Sequence, residues 1–162
     1  MDQTQYILNK KLVEFLLYSN QDCSLIVIDA LITIGANVNY IDETNYNDTP
    51  ILSVITKTSE SNPETVKLLL DKGADVNYQN KYHETALMRT IKYGNFGIAK
   101  ILLDYGANPY LLDYKNRNSI MIAKEFNVIP MLNIINLYDK KNKDNSDKIK
   151  LEIDRIVNIF VD

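Results

Sequence analysis

The sequence contains one histidine, His83, and one cysteine, Cys23, the side chains best suited to acid–base or nucleophilic chemistry. A histidine base needs a nucleophile to activate or a carboxylate to orient it, and Glu84 is only the sequence neighbour of His83 in a polar turn. Cys23 precedes a predicted helix but has no basic cluster around it that would favour the thiolate. One His and one Cys cannot supply a four-ligand zinc site, and no glycine-rich phosphate loop is present. The sequence therefore predicts no catalytic residue, metal or cofactor.

The composition is that of a single intracellular domain. The chain has 162 residues, 46% of them hydrophobic and 24% charged, enough for one continuous core. A net charge of −3 argues against a broad phosphate-binding surface. No stretch approaches the roughly 18 to 20 apolar residues of a membrane span, and the N-terminus lacks the basic and apolar regions of a secretory signal. We expect a cytoplasmic monomer without membrane contact, located in the host cytoplasm if the chain comes from a virus or an intracellular bacterium.

Three segments of the sequence repeat, and a period of roughly 20 to 50 residues indicates a solenoid. The glycines that close the units are Gly35, Gly73 and Gly106, which recur with spacings of 38 and 33. A second marker follows each glycine with spacings of 36 and 33, at residues 49–52, 85–88 and 118–121.

Each unit is predicted to form two short helices and a projecting hairpin. In the best-formed unit Thr85 caps the first helix, Gly94 ends it, and Gly106 closes the second helix. The extra residues of the first unit fall near 45–48 and 59–63, where insertions belong in loops.

With these motifs in register, the sequence resembles the ankyrin repeat family, whose unit has about 33 residues. Residues 49–52, Thr-Pro-Ile-Leu, match three positions of the family's Thr-Pro-Leu-His helix start if Ile is allowed for Leu. Leucine pairs at 69–70 and 102–103 match the second helix, and Gly-Ala-Asp-Val-Asn at 73–77 matches the hairpin entry. The resemblance implies an all-α fold, an α-solenoid of about four ankyrin repeats.

The predicted organisation is an ankyrin-repeat domain over residues 1–139 and a tail over 140–162. The domain divides into an N-terminal cap, 1–40, and repeats of about 41–78, 79–111 and 112–139. A polar linker from Asp139 to Asp147 is expected to lead to an amphipathic C-terminal helix, in which Ile153, Ile156 and Val157 share a face. That helix either covers the last repeat or docks on a partner.

The sequence departs from the family at the helix-start histidine, which is replaced by Leu52, Met88 and Met121. In the family this His builds a buried hydrogen-bond network between neighbouring repeats. Its absence predicts that apolar packing takes over that role.

Stacked repeats present a concave face made of hairpin tips and first helices, and the resemblance implies non-catalytic protein binding there. Tyr46, Tyr82 and Tyr114 recur one per hairpin and suit an interface, although they could instead pack on the neighbouring hairpin. An excess of Lys and Arg on the second and third units predicts an acidic partner. The predicted partner-binding residues are Tyr46, Lys81, Tyr82, His83, Arg89, Lys92, Tyr93, Tyr114, Lys115 and Arg117.

Two alternatives stay open at this point. The basic and tyrosine-rich strip could serve a regulatory protein that binds nucleic acid, which the overall acidity disfavours. Asn39 and Asn77 match the hairpin asparagine that some members of the family present for hydroxylation; otherwise these side chains form hydrogen bonds within the hairpin.

Overall fold

The computed structural model describes residues 2–18, 24–55, 62–144 and 147–161, so Cys23 and most of the predicted insertion at 59–63 lie outside it. The described residues form helices and one isolated antiparallel bridge, Asp42 to Asp48. The helices are α1 (Gln3–Tyr18), α2 (Ser24–Thr33), α3 (Pro50–Ile55), α4 (Pro63–Asp71), α5 (Ala86–Tyr93), α6 (Phe96–Asp104), α7 (Ser119–Glu125), α8 (Ile129–Asp144) and α9 (Asp147–Val161). The predicted all-α fold is confirmed.

Local side-chain chemistry sets the helix ends where the repeat pattern places them. The Thr85 hydroxyl accepts from the Met88 N–H at 3.3 Å and caps α5, and Asn118 caps α7 through the Met121 N–H at 2.9 Å. Gly94 ends α5 in the left-handed conformation, with φ 71°. Asn127 takes the same conformation at the equivalent position of the next unit, φ 54°, because Asn tolerates it better than most residues.

The helices form two rows with the core between them. The first helices, α1, α3, α5 and α7, pack on one another in chain order, and α2, α4, α6 and α8 form the second row. Apolar side chains of both rows are fully buried in this core: Leu52, Leu87 and Ile122 in the first helices, and Leu69, Leu102 and Ile135 in the second. Each pair therefore buries its apolar face against its neighbours, and the hairpins between pairs project from one edge.

The predicted linker is wrong over its first part, because α8 continues to Asp144. No glycine or proline interrupts residues 139–144, and Lys is a good helix former, so this segment favours a helix over a linker. The C-terminal helix α9 then packs on α6 and α8 of the second row. It buries Ile153 and Val157 there, and Asp154 lies 3.3 Å from the Lys100 ammonium.

Candidate interaction surface

The hairpin tips carry a row of three tyrosines in mutual contact, which we call the tyrosine ladder: Tyr46, Tyr82 and Tyr114. The ring centroids of Tyr46 and Tyr82 are 5.4 Å apart, and those of Tyr82 and Tyr114 are 5.7 Å apart, with tilted planes. These distances are typical of favourable aromatic pairs. The three side chains nevertheless stay 54%, 39% and 60% exposed. The rings therefore pack on the neighbouring hairpins and still remain accessible, and their contact with a partner stays a prediction.

Backbone hydrogen bonds join successive hairpins beneath the ladder. The Lys81 N–H donates to the Tyr46 carbonyl at 3.0 Å, and the Tyr114 N–H donates to the Tyr82 carbonyl at 3.1 Å. In the first hairpin Tyr46 and Asn47 both have positive φ, 55° and 59°. This turn lies where the sequence predicts the first insertion, and it lets the longer hairpin align with the next one.

Sequence reasoning missed the residue that shapes each hairpin. Asp42, Asn80 and Asp113 are buried, and each accepts backbone N–H groups from its own turn. The Asn80 Oδ1, for example, accepts from the Tyr82 N–H at 2.9 Å and the Glu84 N–H at 3.0 Å. The signal was present, because these residues follow the same spacings of 38 and 33 as the closing glycines. Their side chains hold the turns so that the tyrosines project together.

Arg89 does not belong to the exposed surface, and the prediction that places it there is wrong. It is 5% exposed, and its guanidinium donates to Asp48 at 2.6 and 3.1 Å, to the Leu52 carbonyl at 2.9 Å and to Glu84 at 2.8 Å. Asp48 is itself buried and accepts from the Asn80 amide at 2.8 Å. Arg89 therefore ties the first hairpin to the second unit, because a buried carboxylate requires such partners.

Two other predicted cations, Lys92 of α5 and Arg117 of the third hairpin, are also paired. Lys92 contacts Glu84, and Arg117 binds Asp113 at 2.8 Å and Glu125 at 2.6 Å. Burial would raise the pKa of the Glu84 carboxyl, but Arg89 and Lys92 outweigh it and hold that pKa below its usual range. The predicted excess of positive charge is therefore largely neutralised within the protein.

The remaining predicted residues are accessible. Lys81 lies 6.0 Å from the ring centroid of Tyr82, and Lys115 lies 5.5 Å from that of Tyr114, both within the range of a cation–π contact. Tyr93 is exposed at the end of α5, and His83 is exposed in the second hairpin. The ladder and its two lysines are the part of the predicted site that the structure brings together.

His83 has φ 54°, and replacing it by glycine is expected to stabilise the fold. A non-glycine residue pays about 1 to 2 kcal/mol in this conformation, and glycine's extra chain entropy cancels only part of that. We expect His83→Gly to raise the free energy of unfolding by about 0.5 to 1 kcal/mol in urea denaturation.

The matched control is Asn116→Gly, at the equivalent turn position with φ 57°, where Asn already tolerates the conformation. Asn116→Gly should change the free energy of unfolding less than His83→Gly does. A destabilised His83→Gly protein would show that the His83 side chain makes a stabilising contact.

Neither a metal site nor a membrane span is found in the part of the chain that the structure describes. These residues contain no group of three His, Cys, Asp or Glu side chains arranged to hold a metal ion. No helix formed by the described ranges is long and apolar enough to cross a membrane.

Comparison with known proteins decides the family. The family model for ankyrin repeats in three copies matches residues 6–113 and 52–147. An ankyrin repeat protein of Acanthamoeba polyphaga mimivirus is 99% identical over 162 residues, covering 100% of both chains. This chain belongs to the ankyrin repeat family. Proteins of this family generally mediate protein–protein interaction.

More distant relatives carry similar repeats inside much longer chains. A serine/threonine-protein kinase of Dictyostelium discoideum is 33% identical over 97 residues, 58% of this chain and 12% of the kinase. An E3 ubiquitin-protein ligase of Arabidopsis thaliana is 43% identical over 51 residues, 32% of this chain and 10% of the ligase. The similarity therefore concerns small parts of these two proteins.

In this ankyrin repeat protein, Leu52, Met88 and Met121 stand where the family has its helix-start histidine. Leu52 and Met88 are fully buried, as apolar packing requires, whereas Met121 is half-exposed. Apolar packing therefore occupies the histidine's position at Leu52 and Met88, and the Asp48–Arg89–Glu84 cluster adds a buried polar link between the first two hairpins and α5.

The two hairpin asparagines of this ankyrin repeat protein bond to the following unit. The Asn39 amide donates to the Gly73 carbonyl at 2.9 Å, and its Oδ1 accepts from the Asp75 N–H at 2.8 Å. Asn77 makes the equivalent bonds, to the Gly106 carbonyl at 3.2 Å and from the Asn108 N–H at 2.7 Å. They join neighbouring units, so the prediction that they bond within their own hairpin is wrong. Their hydroxylation stays a prediction.

Proposed function

We propose that this ankyrin repeat protein is a non-catalytic adaptor that binds a partner protein along the hairpin edge of its concave face. The tyrosine ladder is the observation that carries this proposal. Three half-exposed rings form one continuous aromatic strip, and a contiguous exposed patch of this kind on a soluble protein often marks an interaction site.

The ladder is pre-organised for binding. Its rings hold one another, and the hairpins below are joined by backbone bonds and the buried Arg89 cluster. Tyrosine has few torsions to freeze and offers both an apolar ring and a hydroxyl. Because few side-chain torsions have to be fixed on association, the entropy cost of binding is small and the contacts contribute more to affinity.

The nucleic-acid alternative loses support from the same geometry. Of the five predicted cations, Arg89, Lys92 and Arg117 are engaged with carboxylates, which leaves Lys81 and Lys115. Two lysines can neutralise few phosphates, whereas nucleic-acid binding at physiological salt generally needs many such contacts. The monomeric state and the cytoplasmic location remain predictions.

The double variant Tyr82→Ala/Tyr114→Ala is expected to abolish partner capture without unfolding the protein. Both side chains are exposed, so little core packing is lost. Interface tyrosines at hot spots contribute about 2 kcal/mol or more, so recovery should fall at least about thirtyfold. The measurement is quantitative affinity capture from an Acanthamoeba polyphaga lysate, the amoeba in the name of the virus that carries the nearly identical relative.

Tyr105→Ala is the matched control, because Tyr105 follows α6 at the second row and is similarly exposed. It should leave capture unchanged. Equal recovery of the partner with wild-type protein and with Tyr82→Ala/Tyr114→Ala would show that the ladder is not part of the binding surface.

A further inference from the structure

The charges that remain unpaired at the ladder define the partner's chemistry. Lys81 and Lys115 stand beside the rings of Tyr82 and Tyr114, and among the described residues no carboxylate lies within salt-bridge distance of either ammonium. The nearby carboxylates Asp48, Glu84 and Asp113 are already engaged by Arg89 or Arg117. The second and third hairpins therefore present two available positive charges next to aromatic surface.

The first hairpin has the opposite charge at the corresponding place. Glu43 directly follows the buried Asp42, just as Lys81 follows Asn80 and Tyr114 follows Asp113. Glu43 is exposed, and no ion pair engages it within the described ranges. The ladder therefore has a negative charge at its first hairpin and positive charges at its second and third hairpins.

From this pattern we infer that the ladder binds an acidic linear segment of the partner protein. Apolar or aromatic side chains of the segment pack on the rings, and its carboxylates face Lys81 and Lys115. The acidic end lies at the third hairpin, because Glu43 repels it from the first. This inference rests on the proposed function and adds the partner's charge and its direction.

The test uses synthetic peptides that differ only in charge. In the first peptide aspartates alternate with prolines and tyrosines; in two others every aspartate is replaced by asparagine or by lysine. Fluorescence anisotropy measures their binding to the whole protein, and oligo-dT serves as a nucleic-acid probe. We expect the aspartate peptide to bind at least about fivefold tighter than the asparagine peptide, with the difference shrinking at high salt.

Two sets of variants assign that preference to the ladder. Lys81→Gln/Lys115→Gln should weaken binding of the aspartate peptide about fivefold or more. The control Lys67→Gln/Lys140→Gln removes the same charge from exposed positions of α4 and α8 and should leave binding unchanged. Glu43→Lys should tighten binding about threefold, a gain that misfolding could not produce.

Several results would overturn the inference: no binding of the aspartate peptide up to millimolar concentration, equal binding of the aspartate and asparagine peptides, or full affinity in Lys81→Gln/Lys115→Gln. Binding of oligo-dT with a steep salt dependence would assign a nucleic acid instead. Loss of lysate capture in Tyr82→Ala/Tyr114→Ala, combined with no charge preference among the peptides, would overturn the acidic segment and leave protein binding at the ladder intact.

Discussion

The Arg89→Ala variant is expected to lose about 3 to 5 kcal/mol of unfolding free energy. Removing the guanidinium leaves the Asp48 carboxylate, which is 1% exposed, with the Asn80 amide as its remaining side-chain donor among the described residues. It also removes the bond to the Leu52 carbonyl in α3. Uncompensated buried charge is far more costly than the loss of a surface ion pair.

Urea denaturation followed by circular dichroism measures this loss. Arg155→Ala makes the same substitution at an exposed position of α9 and should stay within about 0.5 kcal/mol of the wild type. Arg89→Lys should fall between the two, since an ammonium cannot bind Asp48 through two parallel hydrogen bonds. An Arg89→Ala protein as stable as Arg155→Ala would show that Arg89 is solvated. Arg89 would then again be a candidate residue of the binding surface.

Leu102→Ala is expected to destabilise the protein by about 2 to 5 kcal/mol. Leu102 lies in α6 with no exposed surface, at the centre of the second row of helices. The substitution removes buried methyl groups and leaves a cavity that neighbouring helices can only partly fill. Because a solenoid is stabilised through nearest-neighbour interfaces, the defect weakens the contacts of α6 on both sides.

The matched control is Leu151→Ala in α9, where the leucine is 71% exposed and little packing can be lost. Thermal and urea unfolding should separate the two variants clearly. Similar small losses in both proteins would mean that the face of α6 assigned to the core is wrong.

The fold could be predicted from sequence because residues that begin and end helices recur at a fixed spacing. Thr85 and Asn118 cap their helices, and Gly94 and Asn127 end them, so that the members of each pair occupy equivalent positions in successive units. Such local signals depend on close neighbours along the chain, so sequence alone reveals them. The end of α8 is not predictable in this way, because the polar residues after Asp139 are compatible with both a linker and a helix.

The candidate site was only partly predictable, because pairing across repeats is not a local property. Arg89 and Asp48 are 41 residues apart and come within 2.6 Å only when the hairpin folds over α5. The number of charges along the chain does not show which of them are paired. Arg89, Lys92 and Arg117 were therefore predicted to be available to a partner. The tyrosines were correctly placed on the hairpins because the repeat register locates the hairpins, whereas the contact distances between the rings depend on how the hairpins stack.

The contact between the ladder rings also gives the protein an optical signal of its own. The chain has 11 tyrosines and no tryptophan, so tryptophan absorption does not cover the tyrosine bands. Three tilted rings with centroids 5.4 and 5.7 Å apart couple their electronic transitions, which should add an exciton contribution to the circular dichroism that tyrosines without aromatic neighbours lack. A ligand that contacts one ring should change this shared contribution, and we expect association to be measurable in this way without any attached dye.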